Sequence, residues 1–400
     1  MWSVQIEDVE AIDIESTTFC NLHCPECNRE TDISNLIRVL NTVHLTAEDM
    51  RNWIRPDELT NLTEIRFCGA IDESAANPHL FDIINYFNDA FVRHNKMFFI
   101  DIRTNGSLKT TAWWKELAQT LPSNHSVSFG IDGSDEVSEK YRVGSSFKKV
   151  INNATAFIKA GGLADWQFIE FEHNKHQIDE AQQKARDLGF KSFNVMTSSR
   201  DDISGDVEHA TKQDVEPVLS FKGTKNPNKD YSATRKNKKD HEAQHKLTGD
   251  KAGTVIHKHG AKLLAKKAYT EKIKITCENQ TVMGNRILIN SLGYVTPCCF
   301  LNGYIHFPHD WDIRVSQEPH LPEFQFFEDL PLNEIYLKHG LKSISLHHNT
   351  LKEILAGEFW EDIEDSWTSD NPINRCHDVC GKMITDETKI LAHWDDNHSN

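Results

Sequence analysis

Nine cysteines carry most of the chemistry in this 400-residue chain, at positions 20, 24, 27, 68, 277, 298, 299, 376 and 380. The first three form Cys20-Asn-Leu-His-Cys24-Pro-Glu-Cys27, a C-x3-C-x2-C spacing directly after the strand-like AIDIESTTF. Close cysteine clusters without a secretory context argue for metal or redox chemistry rather than disulfides. Three thiolates on one loop can each hold an iron of a cubane and leave the fourth iron open, as a catalytic rather than structural centre requires. The other reading is a zinc knuckle with His23 as a fourth ligand.

A second group lies near the C-terminus. Cys277 is followed by fifteen residues, then Gly293, four residues and Cys298. Arg286–Asn290 and Tyr294-Val-Thr read as a β-hairpin turning at Ser291-Leu-Gly293, which brings Cys277 and Cys298 together. Cys376 and Cys380 fall on one face if their segment is helical. Two and two make four thiols, enough for one further cluster. A structural zinc site or unconnected core cysteines are the alternatives, and Cys298 and Cys299 compete for one ligand position. Cys68 lies outside both patterns and reads as a buried structural cysteine.

The elements that must position these residues alternate. Strand patterns appear around residues 11–19, 65–68, 98–103, 127–133, 166–174 and 193–197. Helical patterns fill about 46–55, 78–94, 111–120, 147–160 and 177–188. Alternation of this kind implies an α/β fold with a parallel sheet, and in α/β barrels active sites form at the C-terminal ends of the strands.

The cysteine spacing together with these strand-end motifs resembles the radical S-adenosylmethionine (radical SAM) superfamily over roughly residues 10–200. The resemblance implies a partial (β/α)6 TIM-like barrel over residues 10–220. The C-x15-G-x4-C pattern resembles the opening of Twitch and SPASM extensions, which implies a small α+β iron–sulfur domain over 275–400. With too few cysteines for two extra clusters, Twitch fits better. The resemblance further implies a [4Fe–4S] cluster on Cys20, Cys24 and Cys27, SAM as cofactor, and an auxiliary [4Fe–4S] cluster on Cys277, Cys298, Cys376 and Cys380. An electron donor such as flavodoxin or ferredoxin is implied as partner.

For SAM itself, the resemblance places the backbone of Gly69 and Ala70 near its amino group, with Asp72 or Glu73 accepting from the ammonium. Arg142 matches an arginine on the SAM carboxylate, with Asp132 ten residues before it. Met196 packs on the adenine, and Thr104 and Asn105 line the same rim. Relatives usually have an aromatic residue where Glu26 stands, Gly-Gly-Glu-Pro around 69–73, and a serine at position 130, which here is glycine. Glu170, Glu172, His173 and Arg66 are candidates for substrate contact or proton transfer. The substrate is open among peptide, small molecule and nucleotide. The rival class is a non-catalytic iron–sulfur or zinc protein on a degenerate barrel.

Composition bounds the rest. A formal charge of −16 hides one basic stretch, Lys222–Lys274, with fifteen Lys/Arg against five Asp/Glu. An acidic body with one basic segment is unlike a general nucleic-acid binder. The segment 221–274 reads as an exposed linker or insertion, with a short basic helix at about 258–268, or else as a docking arm for an anionic partner. No apolar run approaches the roughly 18–20 residues of a membrane helix. The acidic N-terminus lacks a signal-peptide pattern. Both features lead to the expectation of a cytoplasmic protein. The Trp-rich stretch Phe359–Trp367 reads as a helix packing its aromatics inward, and His347, His348, His393 and His398 as surface residues. No repeats, Walker loop or nucleophile elbow occur.

Overall fold

The computed structural model describes residues 4–25, 27, 42–197, 273–281, 283–302 and 330–383. Contacts divide the chain into two compact units. The larger comprises Met1–Val207 with Thr276–Cys380, and the smaller Glu208–Ile275 with Gly381–Asn400. The smaller unit's described part is a two-stranded antiparallel pair, β7 (Ile273–Ile275) with β10 (Gly381–Met383).

The larger unit is built on an eight-stranded sheet. Its strands are β1 (Ala11–Ile14), β2 (Glu64–Phe67), β3 (Phe99–Thr104), β4 (His125–Gly130), β5 (Ala164–Glu170), β6 (Ser192–Thr197), β8 (Arg286–Ile289) and β9 (Val295–Thr296). The spatial order is β6-β5-β4-β3-β2-β1-β8-β9. The first six strands pair parallel in chain order, as the alternating pattern predicted. The expected hairpin is present: Leu288 faces Thr296 and Ile289 faces Val295. It does not stand apart from the sheet, because β8 pairs parallel along the free side of β1.

Strand alternation gives the sheet two unlike faces. Ile12, Ile14, Ile65, Phe67, Ile100, Ile102, Val127, Phe129, Trp166 and Phe168 lie on one, all fully or almost fully buried. Helices cover this face: α1 (Ala47–Trp53), α2 (Leu80–Phe87), α3 (Thr111–Thr120), α5 (Phe147–Lys159) and α6 (Ile178–Leu188), with a short α4 (Ser138–Tyr141) between. Trp114 of α3 meets Phe129 at 5.1 Å between ring centroids, and Phe157 of α5 meets it at 6.0 Å. Truncating a buried aromatic such as Trp114 to alanine costs about 3–5 kcal/mol.

The helix starts are legible in the chain. Thr46 caps α1 through Asp49 N–H (3.2 Å), and Asp49 returns a bond to Thr46 N–H (2.7 Å). This reciprocal box satisfies two of the four N–H groups left unpaired at a helix start. Gly189 ends α6 in the left-handed region (φ 85°), where glycine pays no Cβ penalty.

Beyond the sheet lie α7 (Glu278–Thr281), α8 (Cys299–Asn302), α9 (Leu330–His339), α10 (Leu351–Leu355), α11 (Glu358–Ser366) and α12 (Asn374–Cys380). Helix α11 buries Phe359 and Trp360, as its pattern predicted. His347 and His348 are exposed, as expected, and the His347 ring meets Trp53 edge-on at 5.3 Å. The basic segment (apart from its last two residues, in β7), the expected helix at 258–268, Glu26, His393 and His398 lie outside the described residues. Among the described residues, no helix is long and apolar enough to cross a membrane.

Candidate active site

The segment after β1 carries Cys20, Cys24 and Cys27 to the C-terminal end of the parallel strands. Pairing with residues 43–44 starts the course of the loop. Thr18 N–H donates to Val43 O (3.0 Å), and Val43 N–H returns a bond to Thr18 Oγ1 (2.9 Å). Asn21 then donates through Nδ2 to Ser107 Oγ (2.8 Å), and Asn105 donates through Nδ2 to Asn21 Oδ1 (3.1 Å). The same Asn105 nitrogen stands 3.8 Å from Cys20 Sγ. On the far side His23 N–H donates to Val143 O (2.9 Å). The cysteine loop thus hangs between the turn after β3 and the turn after α4. All three cysteines lie outside any disulfide and are partly exposed.

The turn after β3 is braced from below. Glu73, 2% exposed, accepts from Thr104 Oγ1 (2.6 Å) and Asn105 N–H (2.7 Å). Its own N–H donates to Phe19 O (2.9 Å), one residue before the first cysteine. Glu73 therefore ties two rim loops together. Asp72 accepts from Ser16 N–H (2.8 Å) and, at 3.3 Å, from the hydroxyls of Ser16 and Ser74. Burial, with the neighbouring Glu73 charge, pushes Asp72 up to about 7. Burial also raises Glu73, against the three hydrogen bonds that favour its charged form. Gly69 takes φ 61°, and a Cβ there would meet Arg103 O at 3.1 Å, so the 69–70 backbone lies close against β3.

Arg142 directly follows α4. Its Nε lies 2.8 Å from Asp132 Oδ2, and Nη2 lies 3.4 Å from Asp132 Oδ1. The Nε contact is a close ion pair without hydrogen-bond alignment, since both atoms are buried and lack an aligned partner. Asp132 is fully buried and is fixed by Ile169 N–H on Oδ1 (2.8 Å). The charges of Asp132, Cys24 and Cys20 raise Arg142, outweighing the larger opposing effect of burial. The guanidinium is thus within electrostatic reach of two of the three thiols.

Of the other expected residues, Thr104 and Asn105 join this network, and Ala70 follows Gly69 on the same loop. Met196, on edge strand β6, contacts Gln167 Nε2. Glu172 is paired with Lys175, and His173 stacks on Phe171 at 5.3 Å. Cys68 Sγ lies 3.7 Å from Ile14 O. Asn21, Ser107 and Asn174 escaped the sequence reading. Asn174 donates to Asp132 O (3.0 Å) and Ile169 O (2.9 Å). The run Asn105-Gly-Ser107 after a strand was the available signal, because asparagine and serine side chains commonly bond nearby backbone in turns.

The C-terminal cysteines separate by direction. Cys298 lies within electrostatic range of Cys299, Cys376 and Cys277, and Cys277 within range of Cys380. The neighbours of Cys299 are instead Asp13, Glu15 and Arg66, on the sheet side. Burial pushes Cys277 and Cys299 up to about 11, and raises Cys298 well above the ordinary thiol value. Helix α12 sets Cys376 and Cys380 four residues apart on one face, and Thr276 N–H donates to Cys380 O (3.3 Å). Among the described residues, no three His, Cys, Asp or Glu side chains converge on one metal ion. Thiolates of a cubane bind separate irons and have no need to converge. A thiols-only donor set suits iron–sulfur ligation, and a bound metal would displace protons that burial otherwise retains.

No family model matches the chain, and no curated protein matches it. Solved structures similar to it include Streptococcus suis SuiB bound to S-adenosylmethionine, at 13% identity and TM-score 0.45 over 75% of this chain and 62% of that one. This chain therefore spans less than two thirds of SuiB. Native anSMEcpe with bound AdoMet and Cp18Cys peptide is similar at 15% identity and TM-score 0.47, over 90% of this chain and 83% of that one. Methylornithine synthase (PylB) is similar at 16% identity and TM-score 0.32, over 47% and 53%.

Proposed function

We propose that this chain is a radical SAM enzyme, with a [4Fe–4S] cluster on Cys20, Cys24 and Cys27 and an auxiliary cluster on Cys277, Cys298, Cys376 and Cys380. The cluster, once bound and reduced, supplies the electron that cleaves SAM into methionine and the 5′-deoxyadenosyl radical that abstracts a substrate hydrogen. The observation that carries this reading is the cysteine loop itself. It is free of disulfides, lies on the C-terminal rim of a parallel sheet, and is held there by Asn21, Asn105 and Ser107.

The protein's part is orientation. Asn105 fixes the loop at Cys20, and Glu73 holds Asn105 and Phe19 in one register. Asp132 presents Arg142 at the thiols, so that a terminal guanidinium nitrogen can take the SAM carboxylate as a charge-assisted bond. The close backbone at Gly69–Ala70 would hold the amino group, and Met196 would pack on the adenine. The auxiliary site uses Cys298 rather than Cys299, since Cys298 is the one near Cys277 and Cys376. A flavodoxin- or ferredoxin-type donor completes the reaction.

Anaerobic reconstitution tests the proposal through iron and sulfide content, the change in cluster spectrum on adding SAM, and 5′-deoxyadenosine formed with dithionite. SAM-dependent spectral change with 5′-deoxyadenosine supports it. Zinc in place of iron, or iron without any response to SAM, rejects it in favour of a non-catalytic metal protein.

A further inference from the structure

The face of the sheet opposite the helices is polar, and its charges form an ordered row. Asp13, Arg66 and Asp101 are in register across β1, β2 and β3. At the β8 end Arg286 is buried on Asp13 (2.6 Å) and Glu64 (2.9 Å). Beyond it, Arg66 and Arg103 both place Nε 2.9 Å from the same oxygen, Oδ2 of the buried Asp101. Each has one further anchor: Arg66 Nη2 on Glu64 Oε1 (3.1 Å), and Arg103 Nη1 on Gln167 Oε1 (2.9 Å).

Two guanidiniums are thus fixed side by side by one carboxylate oxygen. Among the described residues, no hydrogen bond takes up Nη1 of Arg66 or Nη2 of Arg103. Their side chains are 27% and 37% exposed, whereas Arg286 is 5% exposed. A shared buried anchor with accessible outer nitrogens describes a preorganised fork. We infer that Arg66 and Arg103 together bind a carboxylate of the substrate, on the polar face just below the cysteine rim.

Position and charge support this. Arg103 is two residues before Asn105, the residue at Cys20, so the fork lies about 7 Å along the strand from the rim. A small substrate or a side chain held there by its carboxylate reaches the thiol loop. The row itself balances three arginines with three carboxylates. On a face already balanced, one added negative charge is met more easily than the two of a phosphate dianion.

That the ligand is a substrate rests on the proposed function; that the fork takes carboxylate does not, so the test omits cluster, SAM and turnover. The full chain is labelled with phenylglyoxal, which modifies arginine, and labelled sites are mapped by peptide analysis. N-acetylglycine is the probe, with inorganic phosphate and chloride at equal ionic strength. With probe at about three times its Kd, labelling at Arg66 and Arg103 slows about fourfold, following 1 + [L]/Kd. The exposed Arg93 is the control and stays unprotected. Arg103→Lys keeps the charge but loses the fork, and protection at Arg66 falls. Equal labelling with N-acetylglycine and chloride overturns the inference, as does protection by phosphate alone or equal protection at Arg93.

Discussion

The guanidinium of Arg142 fills the space that a side chain at position 130 would need. A Cβ built on Gly130 would stand 2.6 Å from Arg142 Cζ and 2.8 Å from Nη1. The glycine is therefore a steric partner of the arginine, and position 130 has no room for the serine of the resembling family. Gly130→Ser should push Arg142 off Asp132 and leave a fully buried carboxylate poorly paired. Overpacking of this kind costs about 1–3 kcal/mol. Urea unfolding checks the cost; an unchanged midpoint would mean that the guanidinium moves aside freely.

Asn105 joins the cysteine loop to the sheet through its side chain, while Glu73 holds it by its backbone N–H. Asn105→Ala should keep the second link and lose the first. We expect a stability loss of about 1–3 kcal/mol from unpaired neighbours. Iron retained at the N-terminal site after reconstitution should fall as well. Full iron loading with an unchanged spectrum would remove Asn105 from any role at Cys20.

Asp72 sets a pH slope on stability. Its carboxyl is held up at about 7 by burial and by Glu73, against an ordinary value of 3.8. Across that window the folded state binds the proton and the unfolded state releases it. The contribution is therefore fully present below about pH 4. It is lost as pH rises through 7. Asp72→Asn cannot ionise, so the fall in stability between pH 5 and 7.5 should flatten, as urea midpoints over that range will show. Identical slopes in both proteins would place the titration elsewhere.

Cys298 and Cys299 are adjacent yet face different neighbours. Cys298→Ala should lower the iron of the reconstituted protein from about eight per chain to about four, one cubane's worth. Cys299→Ala should leave it near eight. The reverse pattern would exchange the two assignments.

Much of this was legible before any coordinates. Hydrophobic alternation located the first six strands, because each buries one face and the period of two is strict. Of the helices from 47 to 188, all but the short α4 followed from their apolar stripes. The C-x3-C-x2-C spacing marked the candidate centre, since few side chains besides cysteine offer soft anionic ligands. Asn21, Ser107 and Asn174 were not legible as rim residues. Their partners lie far off in the chain, and a lone polar residue in a loop has many possible uses.

Local pattern thus specified the elements, the parallel sheet and the residue types on the rim, because period, capping and thiol chemistry are properties of short stretches. Tertiary pairing alone decided that β8 lies along β1 and that Cys298 comes within electrostatic range of Cys376. It alone brought Arg66 and Arg103 onto one carboxylate oxygen and laid Arg142 over Gly130. Each of these depends on the registration of strands distant in the chain, and registration is set by packing over the whole sheet rather than by neighbours in sequence.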